Sequence, residues 1–126
     1  MMDKQLFLTV AEERLARLIW RTAPLSSPEL VSLAESELDW KKSTTYTVLR
    51  KLCDKGVFKN ESAMVSTVLT HEDFIKQQSY RYVDDAFGGS LPRFITAIIG
   101  GRRISPEQAE ELKRLIETHE EDESDG

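Results

Sequence analysis

The chain has 126 residues, 40% of them apolar, and a formal net charge of −5. That size fits one ordinary domain or a small domain with an appendage, and the charge excludes a uniformly basic polyanion binder. No run of eighteen apolar residues exists to span a membrane, MMDKQLFLTVAEER lacks a signal peptide's apolar stretch, and the single Cys53 has no internal disulfide partner, so a cytoplasmic protein is predicted.

Thr9 followed three residues later by Glu12 is a capping box, and Leu15, Leu18 and Ile19 form the apolar stripe of a first helix ending near Trp20 and Arg21. Ala23-Pro24-Leu25 breaks it, with Leu25 able to form a very short strand. Ser27-Pro28-Glu29 predicts a second helix start with Ser27 as N-cap, running to about Ser36. A third helix over 43–55 is stopped by Gly56. At 100° per residue, Thr45, Val48, Leu49, Leu52 and Cys53 share its apolar face, while Ser43, Thr47, Arg50 and Lys51 lie opposite, with Thr44 at the edge. Val57–Lys59 and Val65–Leu69, separated by Asn60-Glu61-Ser62-Ala63, predict a β-hairpin.

Thr70 and Asp73 begin a long helix that Gly88-Gly89 ends. Ser90 caps the short apolar helix LPRFITAII, and Ser105-Pro106-Glu107-Gln108 opens a last helix to about His119. The tail EEDESDG is a charge run expected to be disordered. Helix, short strand, two helices and a hairpin within seventy residues predict a mainly α fold with a small β-hairpin wing. The predicted divisions are a winged helix-turn-helix domain over 1–70, a helical dimerisation region over 71–119 and an acidic tail over 120–126.

Charge is unevenly spread along this order. Residues 1–60 sum to +2 and residues 61–126 to −7, and 40–60 hold six cations against one acid, Asp54. A local basic patch attracts phosphate more effectively than the global sum opposes it. Ser43, Thr44, Thr47 and Arg50 are therefore candidates for base or near-base contacts. Lys41, Lys42, Tyr46, Lys51, Lys55 and Lys59 are candidates for DNA backbone contacts, although Tyr46 fits a role at the helix–helix joint equally well. Trp40 lies just before the third helix, where it suits hinge packing better than base stacking.

At this segment the chain resembles the penicillinase-repressor family of winged-helix transcriptional repressors. Trp40, Thr44 to Leu49, Lys51-Leu52 and Lys55-Gly56 carry the likeness, with LTVAEERLARLIW upstream and SPEQAEELKRLIE downstream. The resemblance implies a homodimer on a dyad-symmetric operator. In the family's drug-resistance members it also implies a membrane-bound sensor protease as partner, which triggers cleavage in the C-terminal half. Lys51 stands where Arg is usual, which keeps charge but loses the bidentate fork. The hairpin tip lacks the family's frequent basic residue, Ala97-Ile98 does not resemble the scissile pair, and the copper-responsive branch's cysteine cluster is absent.

Phe74, Tyr82, Val83, Phe87, Leu91, Phe94, Ile95, Ile98, Leu112 and Ile116 exceed what three short helices can bury against a seventy-residue core, so they are candidates for a dimer interface. His71 and His119 have no Cys or His at ligand spacing, and no nucleophile motif or phosphate-cradling loop occurs, so neither enzyme, metal nor cofactor is expected. Two alternatives stay open: a winged-helix adaptor that binds protein through its acidic half, and a regulator sensing a small ligand in a pocket among Phe74, Tyr82 and Phe94.

Overall fold

Thr9 and Glu12 cap each other at the start of α1 (Val10–Thr22): the threonine Oγ1 accepts from the Glu12 amide at 3.1 Å, and the carboxylate accepts from the Thr9 amide at 2.9 Å. A computed structural model describes residues 6–120. After α1 come β1 (Leu25–Ser26), α2 (Ser27–Leu38), α3 (Lys42–Asp54), β2 (Phe58–Glu61) and β3 (Met64–Thr67), then α4 (His71–Phe87), α5 (Leu91–Gly101) and α6 (Pro106–His119). The chain divides into two compact units, Met1–Tyr80 and Arg81–Gly126. The tail expected over 120–126 lies, beyond Glu120, outside the described residues.

The first unit is a winged helix-turn-helix. Its core is Leu15, Ile19, Leu30, Leu52, Val57, Phe58 and Val65, none more than 1% exposed. Trp20 closes one side, donating its indole N–H to the Leu69 carbonyl at 2.9 Å and meeting the rings of Phe58, His71 and Phe74 at 5.5, 4.5 and 5.2 Å. The wing is a three-stranded antiparallel sheet in the order β1-β3-β2.

Three local expectations change. The N-cap of α2 is Ser26, whose hydroxyl accepts from the Glu29 amide, while Ser27 is buried one residue further in. Two adjacent serines before a proline both satisfy the sequence signal, and only the three-residue spacing to Glu29 separates them. Helix α2 also continues to Leu38, where Asp39 takes a left-handed conformation (φ 60°) and ends it. The hairpin turn is only Ser62-Ala63, both at positive φ (53° and 62°), the hand that matches strand twist in two-residue loops. It lacks the Asn-Gly or Gly signature, and the Ala63 carbonyl accepts from the Ser27 amide at 2.8 Å.

In the second unit, Tyr82, Phe87 and Phe94 meet edge-on with centroids 5.6–6.1 Å apart. No residue from 81 to 120 is buried.

Candidate nucleic-acid interface

Helix α3 sinks Thr45, Val48, Leu49 and Leu52 into the core and so fixes which side faces out. Lys41, Lys42, Ser43, Thr44, Thr47, Arg50 and Lys51 are all exposed. Among the described residues, Lys41, Lys42, Arg50 and Lys51 have no ion pair. Helices α1, α2, α5 and α6 each have a side-chain cap, from Thr9, Ser26, Ser90 and Ser105. By contrast, α3 has Lys41 at its N-cap position with no side-chain cap bond and no acid in its first turn. Its leading amides and positive dipole end thus stay available to an outside anion. Gly56 at φ 83° turns the chain out of α3 into β2, a conformation other residues rarely adopt.

Three of the sequence candidates sit differently from the rest. The Lys55 ammonium donates to the Glu12 carboxylate at 2.6 Å and to the Phe7 carbonyl at 2.7 Å, which ties the end of α3 to the start of α1. Burial pushes the Glu12 carboxyl up. The Lys55 hydrogen bond, the Thr9 amide and the charges of Lys55 and Lys51 outweigh it and hold the group below its ordinary value. Lys59 lies 3.6 Å from Glu61 on the wing. The Tyr46 hydroxyl donates to Ser27 Oγ at 3.4 Å and packs beside the core, at the helix joint. Trp40 also packs against the core. Cys53, expected on the apolar face, is half-buried; burial and then the charge of Asp54 push its thiol up.

A concave site of about 340 Å³ opens between α3 and β2, lined by Tyr46, Leu49, Arg50, Cys53 and Asn60. Asn60 was not among the sequence candidates. Its strand position, two residues after the inward-facing Phe58, was the signal that could have found it.

Of the interface candidates, Phe74 is only 5% exposed, because it packs on Trp20 within the first unit. That surface is already spent and Phe74 is not free to meet a partner. Tyr82, Leu91, Ile98 and Ile116 are 40–64% exposed, and Val83, Phe87, Phe94, Ile95 and Leu112 are half-buried. Phe74 lies on Trp20 and Tyr82 on Phe94, ring to ring. A concavity of about 280 Å³ in the second unit lies between α5 and α6, with Ile98, Ile104, Leu112 and Leu115 among its lining. Among the described residues, no group of His, Cys, Asp and Glu could hold a metal, and no helix is long and apolar enough to cross a membrane.

The family model described as "Penicillinase repressor" matches residues 8–118. A penicillinase repressor of Bacillus licheniformis is 22% identical over 113 residues, covering 86% of this chain and 88% of its own. An uncharacterized 16.5 kDa protein of Latilactobacillus sakei is 32% identical over 54 residues, 43% of this chain and 37% of its own. Among solved structures, a MarR family protein of Mycobacterium tuberculosis in complex with salicylic acid is 25% identical, covering 88% of this chain and 76% of its own at a TM-score of 0.38.

Proposed function

The chain belongs to the penicillinase repressor family and is a DNA-binding transcriptional regulator, and on that premise we propose that it represses as a homodimer on a dyad-symmetric operator, with α3 of each protomer in a major groove. Residues 1–70 read the DNA and 71–119 hold the two copies together. Ser43, Thr44, Thr47 and Arg50 face base edges, and Lys41, Lys42 and Lys51 face phosphates. Repression is by exclusion, since an occupied operator denies polymerase its promoter.

The observation that carries this reading is the outer face of α3, where hydroxyls and unpaired cations are exposed on a helix whose other face is locked into the core. Unpaired cations occur elsewhere among the described residues, Arg14, Arg102 and Arg103 for example, but only here do four of them gather beside exposed hydroxyls on one short helix face, where a phosphate backbone supplies the opposing charge. The dimer is supported by the second unit, whose α5 and α6 leave Ile98, Ile99, Leu115 and Ile116 at 40–64% exposure.

A gel-shift titration on a palindromic duplex at two salt concentrations tests the proposal. If the three lysines of each protomer neutralise about six phosphates in the dimer, log K against log salt falls with a slope of about −5. Absence of a shift at low salt overturns the reading.

A further inference from the structure

A helix in the major groove and a wing over the next minor groove are separated by one DNA strand, so the channel between helix and wing is where that strand's backbone passes. In this chain the channel is the concave site between α3 and β2. We propose that it seats the sugar–phosphate backbone of one strand, and that Asn60, rather than Lys59, is the wing's contact to it. This deepens the operator reading above and rests on it.

Strand alternation makes the choice between the two residues. Phe58, 1% exposed, points inward, and Asn60 two residues on shares its face and lines the channel. Lys59 and Glu61 take the opposite face, where they neutralise each other at 3.6 Å. The wing's one cation is therefore turned away from the channel and its neutral amide is turned toward it.

The lining matches a phosphodiester. Arg50, whose guanidinium reaches on to the base edges, leaves one wall positive with no competing ion pair among the described residues, and Asn60 supplies the amide N–H donor to the phosphate from the other wall. No carboxylate lines the channel. Leu49 and Cys53 give it an apolar floor for the deoxyribose, and Tyr46, tethered to Ser27, forms its end. A neutral wing donor grips the backbone without adding to the ion-release term that sets salt dependence.

Asn60 is exposed and its substitution leaves the core intact. The test measures binding of operator and non-operator duplexes by fluorescence anisotropy across a salt series for N60D, N60K and K59A. N60D is expected to weaken both duplexes about tenfold or more. N60K is expected to steepen the salt slope by about 0.9 per protomer, and K59A to bind within about twofold of wild type. As a second readout, Cys53 is the chain's single thiol, and its alkylation by N-ethylmaleimide is expected to slow severalfold when duplex is bound. If wild type binds duplex but N60D and N60K match it in affinity and slope, and bound DNA leaves Cys53 alkylation unchanged, the channel assignment is overturned while the operator reading stands. If wild type binds no duplex at low salt, both fall.

Discussion

Residues 10–67 bury Leu15, Ile19, Leu30 and Leu52 completely, whereas no residue from 81 to 120 is buried, although α5 carries Leu91, Phe94, Ile95, Ile98 and Ile99. Both regions are built from amphipathic helices, most of them with a side-chain cap, so local helix signals do not explain the contrast. What differs is closure. In the first unit each apolar stripe meets another element, and the polar face of α3 is left over as a product of that closure. In the second, the three rings of Tyr82, Phe87 and Phe94 meet each other, while Ile98, Ile99, Leu115 and Ile116 stay open to solvent. A self-sufficient core fixes the outer face of α3, and the open apolar surface is what the proposed second copy covers.

The sharpest way to break this contrast is to attack each side of it. Leu52→Ala removes a fully buried side chain from beneath α3 and should cost about 2–5 kcal/mol in urea unfolding. Ile116→Asp should leave the first unit's melting unchanged but weaken self-association by about 2 kcal/mol or more, read by sedimentation velocity. Intact dimers of that variant would show that α6 is not the covered surface.

Lys55 sharpens the division between holding α3 and touching DNA. Lys55→Ala leaves the nearly buried Glu12 carboxylate without its cation and should lower stability by about 1–3 kcal/mol. Its salt slope for DNA should match wild type, whereas a lysine that neutralises phosphate would flatten the slope on removal. The same pair sets an acid limb. The Glu12 pKa is lowered in the fold, so its stabilising contribution is complete above the unfolded carboxylate value of about 4.3 and is lost as pH falls through the lower folded value. Glu12→Gln should be less stable at neutral pH and show a shallower loss on acidification.

Two smaller effects separate base reading from backbone attraction. Arg50→Ala should reduce discrimination between operator and non-operator DNA by about 1–3 kcal/mol. Lys51→Ala should weaken all duplexes alike and flatten the salt slope by about 0.9 for each phosphate no longer neutralised. Equal behaviour of the two variants would mean that α3 does not lie in the groove as argued.

Sequence made local features legible and left distant pairings dark. The Thr9–Glu12 box, the stripe of α3, the Gly56 stop and the presence of a hairpin are all set by residues a few positions apart and stand where the spacing places them, although the hairpin's turn is two residues rather than four. The tie from Lys55 to Glu12 spans 43 positions and the Trp20 bond to Leu69 spans 49. Neither leaves a periodic trace, so Lys55 reads like any lysine beside a basic helix. Phe74 misleads for the same reason: its apolar character is plain, but only the fold tells that Trp20 already covers it. The direction of Lys59 and Asn60 was readable in principle from strand alternation, had the strand's register been known.

The most direct test of the central claim is selection of bound duplexes from a random pool by the full chain. Enrichment of a dyad-symmetric site, with half-sites about one helical turn (~10 base pairs) apart or a multiple of it, is the predicted result. Recovery of no sequence, or of a single asymmetric half-site, would contradict a paired α3 reading DNA from a two-fold protein.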